Sequence, residues 1–132
     1  MKIRKILAVL LSVLALFCLA SCQEKPKTEA SYKQISGAEA KALMDSEKNY
    51  IIIDARTQSE FDEGHIAGAI LIPEYEIADR AEAELPDKDQ LILVYCRSGR
   101  RSKIAAQALV DLGYTNVKEF GGIIDWEYEI VR

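Results

Sequence analysis

Two runs of consecutive apolar residues constrain this fold more than any other feature: Tyr50-Ile51-Ile52-Ile53 and Leu91-Ile92-Leu93-Val94-Tyr95. Neither alternates polar with apolar positions. A strand without alternation has no solvated face and must be covered on both sides. Helices packed on both faces of a mostly parallel sheet provide that cover. The intervening segments read as such helices. Ser36-Gly37-Ala38-Glu39 is a capping box that opens a helix with Ala40, Leu43 and Met44 on one face, and Thr57 with Glu60 repeats the signature for a short helix. Glu74 to Leu85 reads as a polar helix with Ile77, Ala78 and Ala81 inward. Ser102 to Leu112 reads as a strong helix stopped by Gly113. Tyr32–Ile35, Ala69–Ile72 (closed by Pro73) and Val117–Phe120 complete the strands. The expectation is one α/β domain over residues 32–132, with ligands gathering at the carboxyl ends of its strands.

The chain ahead of that domain has a different grammar. Lys2, Arg4 and Lys5 precede a 15-residue apolar run, Ile6 to Ala20. That run is short for a spanning helix, which needs about 20 residues, and the basic start and small-residue end are those of a signal peptide. Leu19-Ala20-Ser21-Cys22 resembles the lipobox of bacterial lipoproteins. The resemblance implies cleavage of residues 1–21, lipid on the Cys22 thiol, and export to the cell envelope with the membrane as a partner. An uncleaved amino-terminal anchor is the alternative. The polar stretch 22–31 reads as a flexible tether. With three basic residues in the leader, the remainder has 14 basic against 21 acidic residues, a net −7. That balance argues against nucleic acid as a partner, because a phosphate-backbone binder needs a basic face.

Cysteine usage then singles out one residue. Cys18 leaves with the leader and lipid caps Cys22, so Cys96 is the one thiol left and has no disulfide partner. Exported domains normally pair their cysteines or lack them. Cys96 ends a buried strand and opens the loop Cys96-Arg97-Ser98-Gly99-Arg100-Arg101-Ser102. A tight loop containing Gly99 can turn successive backbone N–H groups inward, and the helix that follows adds its partial positive end. Arg97, Arg100 and Arg101 add three charges. A thiol at the base of such a cradle has a depressed pKa and reacts as thiolate. The alternative is a small buried core residue, which has no need of three arginines and a glycine within five positions.

Several segments together resemble the rhodanese family in order and spacing. They are Asp54-Ala55-Arg56, Glu60-Phe61, Gly64-His65-Ile66-Ala67-Gly68-Ala69, the Cys96–Ser102 loop, Gly121-Gly122 and Trp126. The resemblance covers about residues 32–130 and implies a five-stranded, mostly parallel sheet. It also implies sulfurtransferase activity through a persulfide on Cys96. By the same resemblance the backbone of the Arg97–Arg101 loop holds the persulfide, Arg97 and Arg101 meet an anionic donor such as thiosulfate, and a thiol or cyanide accepts the sulfur. Arg100 occupies a permissive position. Arg101 lies five residues after Cys96, a Cys-x4-Arg loop one residue shorter than the Cys-x5-Arg cradle of tyrosine phosphatases. The smaller loop suits sulfane sulfur and crowds a tetrahedral phosphoryl group.

The supporting residues have two readings each. Asp54, Arg56 and Glu60 lie on the reactive edge of the sheet, where Arg56 can meet an anion, but an ion network tying the loops together is favoured. His65 can serve as a base, but a turn-stabilising role is favoured. Trp126 and Tyr95 read as core residues. One histidine and one thiol cannot form a zinc shell, and no cofactor is expected. A monomer is expected. Catalyst and persulfide carrier need the same loop, so the sequence does not separate them. The leader reading is directly testable. Cells making the unmutated protein should label it with radioactive fatty acid, and Cys22→Ala should abolish the label; an unlabelled wild-type protein overturns the lipoprotein reading.

Overall fold

A computed structural model describes residues 30–132; the predicted leader, Cys22 and most of the tether lie outside the described residues. Five strands form one sheet in the order β1-β6-β5-β2-β4 and every neighbouring pair is parallel. These strands are β1 (Lys33–Gln34), β2 (Tyr50–Asp54), β4 (Ile70–Leu71), β5 (Leu91–Cys96) and β6 (Val117–Gly122). The two apolar runs are β2 and β5, adjacent at the centre, with Ile52 opposite Leu93 and Ile53 opposite Val94. All of β5 is buried.

Helices cover both faces, as the unbroken apolar runs require. On one face α3 (Ile77–Glu84) and α4 (Arg100–Asp111) pack Ile77, Ala81, Ala105 and Leu109 against Ile53, Ile92 and Val94. On the other, α1 (Gly37–Ser46) brings Ala40, Leu43 and Met44 onto Ile52, Leu93 and Tyr95, joined by Phe120 and Trp126. Both predicted capping boxes form: Ser36 and Glu39 open α1, while Thr57 and Glu60 open α2 (Gln58–Glu63).

Three details differ from the sequence reading. A separate two-stranded antiparallel sheet pairs β3 (His65–Ile66) with β7 (Ile130–Val131), a pairing too short to leave a periodicity. The helix expected from Glu74 starts with a 3-10 turn over Glu74–Glu76, and α3 proper begins at Ile77 with no side-chain cap. In eight residues it turns one narrow row inward, Ile77 and Ala81, so Ala78 faces solvent instead of the core. Last, α4 starts at Arg100, two residues before Ser102, because Gly99 turns the chain with φ +110°.

The register between β5 and β6 carries one irregularity. Val94 lies opposite Glu119, but Cys96 lies opposite Gly122. Two residues on β5 thus face three on β6, a β-bulge, which bends the strand and frees backbone groups from the ladder. At the bulge the Cys96 loop crosses β6 in close contact. A Cβ on Gly122 would sit 1.9 Å from the Arg97 carbonyl oxygen and 2.6 Å from the Ser98 Cα. Both obstacles are backbone, so neither can swing aside. Gly122→Ala should therefore lower stability by about 1–3 kcal/mol, the usual cost of overpacking. A thermal melt checks this; an unchanged Tm would mean the loop has slack at the crossing.

Candidate active site

The site is built where β5 ends and α4 begins. Alternation along β5 sends the Cys96 side chain to the same face as Ile92 and Val94, beneath α4, where it is 1% exposed. The Gly99 N–H donates to Cys96 Sγ at 3.0 Å, and Sγ lies 3.4 Å from the Ser102 hydroxyl oxygen. Burial pushes the thiol pKa up. Hydrogen bonds to the ionised sulfur from the Ser102 hydroxyl and from the amides of Ser102, Gly99 and Ser98 outweigh it, leaving the pKa below the ordinary value. The Gly99 amide thus points inward at the sulfur, as expected of this loop. The left-handed conformation at Gly99 that aims it is one that residues with a Cβ rarely adopt.

The arginines divide. Arg97 and Arg100 are exposed on the loop. Arg101, expected alongside Arg97 to meet an anion, is committed to Glu60 in a two-point pair, Nη1 to Oε2 at 2.7 Å and Nη2 to Oε1 at 2.8 Å. Arg101 and the Thr57 hydrogen bonds pull the Glu60 pKa down to about 2 against the opposing effect of burial. Glu60 is thus shared between capping α2 and anchoring the first turn of α4. The thiol is held low by hydrogen bonds, with Arg101 acting as a strut between two helix starts.

The expected network of Asp54, Arg56 and Glu60 forms in part. Arg56 binds Asp54 through Nε and Nη2, with Nη2 to Oδ2 at 2.7 Å, and reaches the Gly64 carbonyl at 2.7 Å. Tyr95 donates its hydroxyl proton to Asp54 Oδ2 at 2.6 Å and accepts from the Ile66 N–H. Glu60 pairs with Arg101 and not with Arg56, because its cap position at Thr57 turns it toward α4. Asp54 and Arg56 are 0% and 5% exposed, which makes them a buried brace and not a free anion receptor. His65 hydrogen-bonds the Phe61 carbonyl through Nδ1 at 2.9 Å and stacks on the Phe61 ring at 3.7 Å. Among the described residues neither contact reaches the Cys96 loop. Trp126 lies against Phe120 and Gly37 in the core.

Glu119 is a site residue absent from the sequence reading. It is 3% exposed on β6, and its Oε1 accepts from the Ser102 hydroxyl at 2.6 Å and from the Gly121 N–H at 2.8 Å. Period-two alternation was the available signal, because it places Glu119 on the same inward face as Val117. An open cleft is lined by Arg56, Glu60, Gly64, Ile123 and Ile124 and by no residue of the Cys96–Ser102 loop, to which it is joined through the bond from the Ile124 N–H to the Arg97 carbonyl.

The family described as the rhodanese-like domain matches residues 36–129. The chain belongs to the rhodanese family. The thiosulfate sulfurtransferase PspE of Escherichia coli (strain K12) is 40% identical over 73 residues, covering 55% of this chain and 70% of that protein. The thiosulfate sulfurtransferase GlpE of Coxiella burnetii is 36% identical over 97 residues, covering 73% of this chain and 88% of its own length. A solved rhodanese with anions from E. coli superposes with a TM-score of 0.60 at 36% identity, covering 63% of this chain and 98% of that one. The rhodanese fold thus extends over the described domain, and relatives with this fold are named sulfurtransferases.

The hydrogen bonds on Sγ set a pH dependence for this rhodanese domain. A lowered thiol pKa keeps thiolate populated at lower pH, so alkylation of Cys96 by iodoacetamide should have a midpoint below about 8.5. The rate should fall only as the pH drops through that lowered midpoint. A midpoint at or above the ordinary value would mean that the amides do not close on the sulfur in solution.

Proposed function

We propose that this domain moves sulfane sulfur from a small anionic donor, such as thiosulfate, to a thiol or cyanide through a persulfide on Cys96. The observation that carries the reading is the convergence of the Gly99 N–H and the neighbouring loop amides on a buried cysteine at the start of α4. A thiolate held this way needs no neighbouring base to become a nucleophile. Its electron pair forms a bond to the sulfane sulfur, the bond to the sulfite sulfur breaks, and sulfite leaves with that pair. The acceptor then attacks the outer sulfur and returns Cys96 as thiolate, a two-step exchange. The exposed Arg97 and Arg100 draw the donor in. The names of PspE and GlpE and the anions in the E. coli rhodanese support the substrate class. The lipobox-like Leu19–Cys22 supports export to the cell envelope, with the domain held at a membrane by lipid on Cys22.

Thiosulfate should add one sulfur, about 32 Da, to the soluble domain, as a thiolate attack on sulfane sulfur requires. Cyanide should remove it with release of thiocyanate, and Cys96→Ser should do neither. A sulfur adduct without turnover would assign the domain to sulfur carriage. Transfer persisting in the serine variant would overturn the reading.

A further inference from the structure

Glu119 is a buried carboxylate that the sulfur-transfer scheme does not use. It has no ion-pair partner among the described residues, whereas Asp54, the other buried carboxylate there, is bound by Arg56. A buried charge is costly unless it is paired or hydrogen-bonded. Two donors serve it, both on Oε1. The Gly121 N–H lies within the bulge that interrupts the pairing of β5 with β6. The other donor is the Ser102 hydroxyl, which also stands against Cys96 Sγ.

Ser102 has one proton and three acceptors for it, and Cys96 Sγ, which as a thiol donates to the Ser102 oxygen, becomes a fourth once it ionises. Glu119 Oε1 lies at 2.6 Å, the Gly99 carbonyl at 3.0 Å, and both the Gly121 carbonyl and Cys96 Sγ at 3.4 Å. A short bond to a charged acceptor is the strongest of these, so the proton rests on the Glu119 side. In that arrangement Ser102 presents a lone pair to Sγ, which suits a thiol that donates and leaves a thiolate without this bond. When Cys96 ionises, the hydroxyl must turn to sulfur and abandon Glu119. The two anions compete for one proton.

We infer that Glu119 is a positioning residue: by withholding the Ser102 proton from Cys96 it disfavours the thiolate but not the loaded persulfide, and so drives sulfur onto the enzyme. The inference rests on the sulfurtransferase reading for its second half. On loading, the thiolate pair becomes the S–S bond, sulfite leaves with the pair of the broken bond, and the negative charge moves to the outer sulfur. The inner sulfur is then neutral, and Ser102 returns its proton to Glu119. The other charged groups around the cysteine are otherwise occupied or face elsewhere. Arg101 from α4 is paired with Glu60, Asp54 and Arg56 brace the opposite face beside Tyr95, and Arg100 and Lys103 on α4 are exposed. On β6, Lys118 alternates to the face opposite Glu119.

The test compares wild type, Glu119→Gln, Ser102→Ala and the double variant by iodoacetamide alkylation against pH. Sulfur loading is then read by intact mass in fixed mixtures of thiosulfate and sulfite. Glutamine keeps the shape and an acceptor oxygen but removes the charge. Glu119→Gln should move the Cys96 midpoint down by about one pH unit and, at a pH above both midpoints where the unloaded enzyme is thiolate, weaken the loading equilibrium about tenfold, one pKa unit being a factor of ten. In the Ser102→Ala background the same substitution should move the midpoint by less than half as much, because the shared proton is gone. Glu119→Ala frees the same proton and should shift the midpoint the same way, which keeps the test open if the glutamine variant does not fold. An unchanged or raised midpoint overturns the inference. An equal shift with and without the Ser102 hydroxyl also overturns it, since Glu119 would then act by charge alone. A lowered midpoint with no sulfur gained by any of the four proteins would sink the sulfurtransferase reading while upholding the competition for the proton.

Discussion

The Arg97 carbonyl occupies the space that a side chain at position 122 would need, and the arrangement at Cys96 depends on that close crossing. Because the loop can lie directly on β6, it stays short enough for the Gly99 N–H to return to the Sγ of the residue three positions before it. The same crossing sits at the bulge where β6 carries one residue more than β5. One local irregularity therefore holds the loop down and sends the Gly121 amide toward Glu119. A regular ladder would bind these groups to a neighbouring strand instead.

Around this point charge is used mainly as scaffolding. Asp54 and Arg56 join the end of β2 to the Gly64 carbonyl, and Tyr95 ties that pair to β3. Glu60 and Arg101 join the starts of α2 and α4. Each pair is two-pointed and partly or wholly out of water, where geometry and extra hydrogen bonds decide whether an ion pair holds its place. The cost of burying these charges is offset by fixing three loops that reach the site from different parts of the chain. The sulfur meets mostly neutral donors, and these stabilise an anion without enclosing it in a rigid cage of counter-charges.

Much of this was legible from residue order. The unbroken runs at Tyr50–Ile53 and Leu91–Tyr95 demanded cover on both faces, and both central strands and their flanking helices follow from that. The paired signals Ser36/Glu39 and Thr57/Glu60 located two helix starts because a capping box is a local interaction. Cys96 and Gly99 stood out because their chemistry is written within seven consecutive residues. Features that depend on distant partners were not legible. Glu60 showed its role as a cap but not its pairing with Arg101, 41 residues away. Alternation places Glu119 on the face of Val117, but its partner Ser102 lies 17 residues away and only the fold brings the two together. The pairing of His65–Ile66 with Ile130–Val131 is two residues long and leaves no periodic trace.

A parallel sheet also has a direction. All five strands run the same way, and Cys96 sits at the end to which they point. The chain enters β1 from the other end, with Lys33 level with Lys118, three positions short of the bulge residue Gly121. Lys33 thus enters the sheet at its rear edge, and the sulfur lies at the opposite end of the strands. The first strand and the reactive loop therefore do not compete for space, and the mouth of the site is bounded by the turns that leave the strand ends.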